Sequence, residues 1–251
     1  MSAGSRAASQ RVTRGLGFAA AIAIAWIASL VGLLSLDFRA LSVWELTVAV
    51  LLRTQLQTGL FIIGHDAMHG LLCPRHPRWN HRIGTVMLAL YAALPYNLCR
   101  ANHHDHHRFT ATAADPDVPF PSSLGALSWY RQFMLGYLRF PQMAALLAAW
   151  SALVLLFGGI TASAALHVLL FCTLPLLLSS LQLFVFGTYL PHRRQRATPH
   201  APHPDSLDLP IGLSLLACFH FGYHREHHDH PELAWFELPE ARRARRALAP
   251  T

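Results

Sequence analysis

Four long apolar stretches dominate the sequence and predict membrane-spanning helices. Leu16–Leu36 contains no charged residue over 21 positions. A helix of this length reaches roughly 30 Å, the thickness of the hydrocarbon core of a bilayer. Within the last stretch, Pro175 predicts a kink, because proline cannot donate the helical hydrogen bond. The other three stretches are Ser42–Gly64, Met143–Ile160 and Ala162–Leu190.

Three shorter segments predict helices that do not cross the membrane. Ile83–Leu98 has 16 residues and Ile211–Tyr223 has 13, and both are shorter than the roughly 17–25 residues that a span needs. We predict short re-entrant or interfacial helices there. Leu124–Phe140 carries six aromatic or Met side chains at helix-like spacing, which is typical of an amphipathic helix in the headgroup zone. The fold class predicted is an all-α integral membrane protein with four transmembrane helices.

Composition and charge agree with a membrane protein. Hydrophobic residues make up 53% and charged residues 13% of the chain, against roughly 25% charged in soluble domains. The net charge is +7 and every basic residue is Arg. The arginines lie between apolar spans and form no basic helix face, so we expect no nucleic-acid partner.

The arginines also predict the orientation. If neither short run crosses, 18 of the 20 fall on one side: three in residues 1–15, seven in residues 65–142 and eight after Pro191. The positive-inside rule assigns that side to the cytoplasm, so both termini are predicted to be cytoplasmic. We expect a single membrane-embedded domain over residues 1–251, with residues 1–15 and 240–251 as tails.

Three histidine clusters carry the candidate chemistry. The spacing of each cluster places its side chains on one face of a helix, and neutral imidazole is a ligand for zinc, copper, iron and nickel. Eight histidines, with His103 and His104 counted as one, are too many for one tetrahedral zinc, so two metal ions are the economical interpretation. The spacing leaves open whether His103 or His104 is a ligand. The clusters are His65 and His69; His103, His104, His106 and His107; and His224, His227 and His228.

The cluster pattern, HxxxH, HxxHH and HxxHH across four spans, resembles the membrane di-iron superfamily of fatty acid desaturases and hydroxylases. More narrowly, the chain resembles the bacterial β-carotene ketolases. The residues that carry the resemblance are FIIGHDAMHG (61–70), the box at 103–107 with Asp115-Pro116-Asp117, QLFVFGTYLPHR (182–193), CFHFGYHREHHDHP (218–231), Trp235 and Leu238-Pro239.

The resemblance implies a set of metal ligands and a reaction. It selects His103 over His104, and it adds His192 by similarity to the lone histidine that desaturases supply after their last full span. It implies two irons, O₂ as co-substrate, and an external electron donor of ferredoxin type. The implied reaction is oxygenation at C4 of the β-ionone ring of a carotenoid that enters from the bilayer of the bacterial plasma membrane. The implied ligands are His65, His69, His103, His106, His107, His192, His224, His227 and His228.

Several further residues are candidates near such a site. Asp66 and Asp117 are expected to accept hydrogen bonds from ligand imidazoles. His220 lies one turn before His224 and is expected beside the ligands or in the substrate pocket, whereas Glu226 points away from the histidine face and is expected to be solvated. The candidates for the lining of a substrate tunnel are Phe184, Phe186, Tyr189 and Phe221.

Two other functions remain open at this stage. A carotenoid hydroxylase, an acyl-lipid desaturase or an alkane hydroxylase of the same superfamily would carry the same boxes. A metal transporter is a remote alternative, because transport paths usually place ionisable groups near mid-membrane. Here the spans offer little besides Arg53 and His167.

Overall fold

The computed structural model describes residues 3–110, 112–119, 125–197 and 203–248, and this part of the chain is helical without a β-strand. A short 3₁₀ turn follows α1, and two π-helical segments, Leu169–Thr173 and Phe184–Tyr189, interrupt the fourth long helix. The α-helices are α1 Ala3–Ser35, α2 Val43–Met68, α3 Pro77–Ala92, α4 Tyr96–Phe109, α5 Ala126–Tyr137, α6 Phe140–Gly158, α7 Ala162–Val168, α8 Leu174–Leu183, α9 Leu190–Ala197, α10 Ile211–Cys218, α11 His224–Asp229 and α12 Leu238–Leu248.

Four helical segments are long and apolar enough to cross a membrane, which confirms the predicted number. They are Ser9–Ser35, Val43–Met68, Phe140–Gly158 and Ala162–Arg194. The last is the continuous run from α7 to α9, and Pro175 is the second residue after its first π-helical segment. The segments expected to be tails are largely helical, since α1 begins at Ala3 and α12 continues to Leu248.

A buried arginine connects three of the spans. Arg53 of α2 donates from Nε to the carbonyl of Phe171 at 3.1 Å and from Nη1 to the carbonyl of Trp26 at 2.7 Å. Ser29 Oγ accepts a third bond at 3.1 Å. Phe171 belongs to a π-helical segment, whose wider turn leaves carbonyl groups free to accept such bonds. This charge therefore has a structural role away from the histidines.

Helices α3 and α4 form a hairpin that dips into the protein beside α2 and returns. Asn80, near the start of α3, donates from Nδ2 to the carbonyl of Ala67 at 2.7 Å, and Gln57 donates to the carbonyl of Tyr91 near the end of α3. Helix α3 thus runs antiparallel to α2 over about ten residues, roughly 15 Å, and stops halfway along it. This confirms the prediction of a short helix that does not cross the membrane.

The hairpin packs closely because a glycine faces α2. A Cβ atom on Gly84 would lie 2.8 Å from Cβ of Ala67 and 2.3 Å from Cε2 of Tyr96. Ala93, with φ of 53°, ends α3, and α4 begins three residues later. Helix α4 therefore returns along α3 and brings its C-terminal histidines back to the level at which α2 ends.

Two more short helices complete this end of the bundle. Helix α10 spans eight residues, about 12 Å, and ends in a turn where Phe219 and His220 have φ of 46° and 64°. The turn leads into α11, which carries the third histidine box. The amphipathic helix predicted over Leu124–Phe140 is α5, with Trp129 buried and Leu127 exposed; Leu124 lies outside the described residues.

Candidate metal centre

Nine imidazoles from four helices meet at one end of the bundle. They come from the C-terminal end of α2, the second half of α4, the first turn of α9 and the short helix α11. Nε2 of His103 lies 2.7 Å from Nε2 of His65 and 2.8 Å from that of His69. Nε2 of His228 lies 3.2 Å from Nε2 of His106 and 3.1 Å from that of His224. Residues separated by more than 150 positions thus form one contiguous cluster.

The imidazoles divide into two groups, each able to hold one metal ion. In each group the potential ligand atoms all lie within 4.8 Å of one another. His107 lies between the groups: its Nε2 is 3.1 Å from that of His103 and 2.9 Å from that of His227, and its ring stacks on His228 at 4.2 Å. The first group is His65, His69, His103 and His227, and the second is His106, His192, His224 and His228.

The close approach of these nitrogens fits metal coordination better than hydrogen bonding. A neutral imidazole has one N–H and one nitrogen with a lone pair, yet Nε2 of His103 has three imidazole nitrogens within 3.1 Å. One nitrogen cannot satisfy three such neighbours with a single proton or lone pair. Metal–nitrogen bonds of about 2.0–2.1 Å place adjacent ligand nitrogens about 3 Å apart, which is the spacing observed.

Burial keeps most of these imidazoles neutral and available as ligands. Burial and the nearby His104 lower the pKa of His69 to about 4. Burial and the neighbouring imidazoles likewise lower the pKa of His107 to about 3 and hold that of His227 well below its usual value. At neutral pH the nitrogen lone pairs are therefore free to coordinate a cation.

His106 differs from the others because a carboxylate holds its second nitrogen. Nδ1 of His106 lies 2.9 Å from Oδ1 of Asp115, and the same oxygen accepts backbone N–H groups of Asp117 and Val118. Burial alone would lower the pKa of His106, but the hydrogen bond and charge of Asp115 raise it above the usual value. The contact fixes Nδ1 as the protonated nitrogen and points Nε2 at the second group.

An apolar cavity of about 280 Å³ adjoins the histidines. Its inner wall includes His65, His103, His106 and His224, together with Asp117 and Phe221. At its outer end, Met143 and Leu147 of α6 and Leu177 of α8 also belong to the exposed apolar surface of the spans. The cavity therefore connects the lipid-facing side of the bundle with the metal centre.

Comparison with known proteins gives the family. Residues 40–251 match the sequence profile of the fatty acid desaturases. The chain belongs to the fatty acid desaturase family. A β-carotene ketolase from Paracoccus sp. (strain PC1) is 37% identical over 243 residues, covering 91% of this chain and 92% of the relative. A second, from Paracoccus sp. (strain N81106 / MBIC 01143), is 40% identical over 191 residues, 75% of this chain and 76% of the relative.

A third relative is a longer protein, of which this chain covers about half. The zeaxanthin 4-ketolase of Chlamydomonas reinhardtii is 36% identical over 219 residues, which cover 82% of this chain and 47% of the relative. No solved structure matches the chain at a significant level.

Within this desaturase-family site, the structure separates the two histidines that spacing left equivalent. His103 converges on the first group, whereas Nε2 of His104 lies 3.0 Å from the backbone carbonyl of Met68. His104 therefore lies outside the two groups.

The carboxylates occupy different positions from those expected. Among the described residues, Asp117 makes no hydrogen bond with an imidazole; its Oδ1 accepts from the hydroxyl of Tyr137 at 2.7 Å, and the neighbouring Asp115 binds His106 instead. Asp66 Oδ1 is 3.7 Å from Nδ1 of His65, too far for a hydrogen bond, while its Oδ2 accepts from the backbone of Trp235 at 3.4 Å. The Asp-Pro pair was the signal for Asp115, since this pair favours a turn in which the aspartate caps backbone N–H groups.

Glu226 was predicted to be solvated, and this is wrong. Its side chain is 1% exposed, because it accepts hydrogen bonds from Ser206, from Arg245 Nε at 2.6 Å and from Arg242 Nη1 at 3.3 Å. Burial alone would raise the pKa of Glu226, but these partners lower it below the usual value. Glu226 thus attaches the third histidine box to α12.

His220 lies beside the third box without joining either group. Its ring stacks on Tyr223 at 5.8 Å and on Trp235 at 6.1 Å. Burial lowers the pKa of His220 to about 4. The stacking indicates that His220 supports the turn between α10 and α11.

Of the four aromatic residues predicted to line the substrate tunnel, one lines the cavity. Phe221 does so, and its ring lies 4.4 Å from that of His65. Phe184 and Tyr189 instead pack around Trp129 at 5.6 and 5.4 Å. Phe186 packs against the main core. The cavity residues of α5 and α6 were not predicted from the sequence; they are Phe133, Met134, Tyr137, Met143, Leu146, Leu147 and Trp150.

Proposed function

We propose that this protein is a carotenoid 4-ketolase, an O₂-dependent di-iron oxygenase that oxidises C4 of the β-ionone ring of β-carotene. The observation that carries the proposal is the apolar cavity that joins the lipid-facing surface to the two histidine groups. Relatives named as β-carotene ketolases, 37% and 40% identical, support the substrate class.

The proposed ligands are the eight histidines of the two groups, with His107 between them. Two irons bound there would supply, with O₂ and external electrons, an oxidant strong enough to take hydrogen from a ring C–H bond that is not acidic. The donor of these electrons is proposed to be a ferredoxin-type protein.

The chain's own residues position the substrate and limit water. A cavity of about 280 Å³ is at the lower end of ligand-pocket volumes, which suits one ring end-group while the polyene stays among the lipids. The walls from α6 and α8 are apolar and would bind the ring by excluding water. Asp115 keeps His106 in one orientation, and burial keeps neighbouring imidazoles such as that of His107 neutral.

The proposed location is the bacterial plasma membrane, with both termini and the metal centre on the cytoplasmic side. Support comes from the arginines, 18 of 20 of which fall on one side of a four-span chain. The positive-inside rule assigns this side to the cytoplasm. In this orientation the histidine groups, at the C-terminal end of α2 and the first turn of α9, would face the cytoplasm.

Expression in a bacterium that accumulates β-carotene tests the function. We expect echinenone and canthaxanthin to appear, and both to be lost with His69→Ala or His227→Ala protein that still inserts. His203→Ala is the matched control, because His203 is exposed and contacts Asp229. Unchanged β-carotene at good expression would refute the proposal. Hydroxylated carotenoids alone would indicate a hydroxylase, and altered acyl chains alone a lipid desaturase.

A further inference from the structure

A hydrogen-bonded polar pair is part of the cavity wall that the histidines also line. Asp117 and Tyr137 both line the cavity, and the Tyr137 hydroxyl donates to Oδ1 of Asp117 at 2.7 Å. Neither group is a proposed metal ligand. A carboxylate facing an apolar cavity is costly unless it has a role or a partner.

Backbone hydrogen bonds hold Asp117 in place next to the residue that binds His106. The backbone carbonyl of Asp117 accepts from Nε1 of Trp129 at 2.8 Å, and its backbone N–H donates to Asp115 at 2.9 Å. Asp115 in turn binds His106. Asp117 is thus linked through one residue to a proposed ligand, so its carboxylate has a fixed position relative to the metal centre.

The remaining hydrogen-bonding capacity of the pair suits a hydroxyl group. An ionised carboxylate offers about four lone-pair sites, and the Tyr137 hydroxyl occupies one. A substrate hydroxyl can therefore donate to Asp117 without displacing Tyr137. When no hydroxyl is present, the phenol still satisfies the carboxylate, so a bare hydrocarbon ring is not excluded.

We propose that Asp117 and Tyr137 form a subsite for a hydroxyl group on the substrate ring and set the preference between hydroxylated and bare β-ionone rings. This inference rests on the proposed ketolase function. The hydroxyl of zeaxanthin is on C3, adjacent to the carbon that the proposed reaction oxidises. A ring placed with C4 towards the histidines would thus bring its hydroxyl to the same inner end of the cavity.

Two substitutions at this pair are expected to change the preference in opposite directions. Asp117→Asn replaces a charged acceptor with a neutral one of the same shape, so the preference for zeaxanthin over β-carotene should fall about tenfold. Tyr137→Phe removes the donor that satisfies Asp117 when the ring is bare. Only a ring hydroxyl can then replace this donor, so the preference for zeaxanthin should rise about tenfold.

The experiment is a competition between equal amounts of β-carotene and zeaxanthin in proteoliposomes, with a chemically reduced ferredoxin as donor. The product ratio reports the ratio of kcat/KM values. Tyr130→Phe is the matched control: Tyr130 is on the same helix, and its hydroxyl pairs with Ser180 Oγ at 2.6 Å. The product ratio should be unchanged in this variant.

The possible outcomes distinguish a failure of the proposed subsite from a failure of the proposed ketolase function. Opposite shifts in the two variants support the subsite. If both variants still make ketocarotenoids but their product ratios shift in the same direction, or do not shift, the subsite is overturned and the ketolase function stands. If the wild-type protein oxidises neither carotenoid, both the function and the subsite are rejected. Iron content and yield after membrane extraction report whether each variant is folded.

Discussion

Both carboxylate oxygens of Asp115 lie within hydrogen-bonding distance of Nδ1 of His106, at 2.9 and 3.1 Å. The same carboxylate caps the backbone of the following turn, at Asp117 and Val118. The pairing therefore connects the second histidine box to the loop that carries Asp117. A histidine held by a carboxylate at one nitrogen presents the other nitrogen in a fixed direction.

Replacing Asp115 with Asn should weaken the metal centre. Loss of such a carboxylate typically reduces metal affinity or activity about 10–100-fold, and we expect a decrease in that range for Asp115→Asn. The measurement is iron per chain by elemental analysis, together with turnover of β-carotene. Asp105→Asn is the control, since Asp105 is exposed on the same helix as His106. Equal iron content and activity in Asp115→Asn and wild-type protein would contradict the role assigned to Asp115.

Replacing Glu226 should loosen the attachment of the third box. In Glu226→Gln, the partly exposed guanidinium groups of Arg242 and Arg245 lose the buried carboxylate that pairs with both. Loss of hydrogen bonds to a charged group costs about 1.5–3 kcal/mol, and the partial exposure of Arg245 places the expected cost near the lower value. We expect a lower melting temperature in detergent. Glu240→Gln is the control, because Glu240 is exposed on the first turn of α12.

The same ion pairs predict how this stability difference varies with pH. The pKa of Glu226 is lowered in the folded protein, so its charge stabilises the fold above the unfolded pKa of about 4.3. This stabilisation is lost as the pH falls through the folded pKa. The difference between wild-type and Glu226→Gln proteins should therefore be full at pH 7 and should shrink in acid. A difference that stays constant to pH 3 would contradict the assignment.

The sequence predicted the spans and the meeting of the histidine boxes, because both depend on simple periodicity. Span length follows from 1.5 Å per residue, and three boxes at the same boundary with helical spacing must face a common space. Glu226 was predicted wrongly for a different reason. Its partners Ser206, Arg242 and Arg245 lie 16 to 20 positions away, and only the folded positions of α12 and of the segment before α10 bring them to Glu226.

The aromatic residues of the fourth span show a second limit of prediction from the sequence. Sequence shows which side chains share a face only where a helix keeps 3.6 residues per turn throughout the span. The segments Leu169–Thr173 and Phe184–Tyr189 are π-helical, with about one extra residue per turn, which rotates everything that follows. Phe184 and Tyr189 therefore turn towards Trp129 rather than the cavity. Likewise, the Asp-Pro pair marks Asp115 as the residue that caps the turn, but the folded turn is needed to show that the same carboxylate faces His106.

Adding a methyl group at Gly84 should disturb the re-entrant hairpin. In Gly84→Ala, the new Cβ would meet Cβ of Ala67 and the ring of Tyr96 well inside contact distance, and overpacking of this kind costs about 1–3 kcal/mol. We expect a lower melting temperature and less bound iron, because α4 would shift together with its histidines. Gly136→Ala in α5 is the control: nothing lies within 4 Å of its Cβ, so that variant should be as stable as wild type or more so. Equal losses in both variants would show that close packing at Gly84 is not the cause.

The two adjacent histidines of α4 offer the sharpest test of the metal centre. Nε2 of His103 lies within 2.8 Å of Nε2 of both His65 and His69, whereas Nε2 of His104 pairs with the backbone carbonyl of Met68. We therefore expect His103→Ala to lose about one of two irons and all ketolase activity. His104→Ala should keep both irons, since this substitution removes a single hydrogen bond worth about 1 kcal/mol. Elemental analysis of protein purified under identical conditions gives the iron content. The reverse pattern, with iron lost only in His104→Ala, would overturn the assignment of the first group.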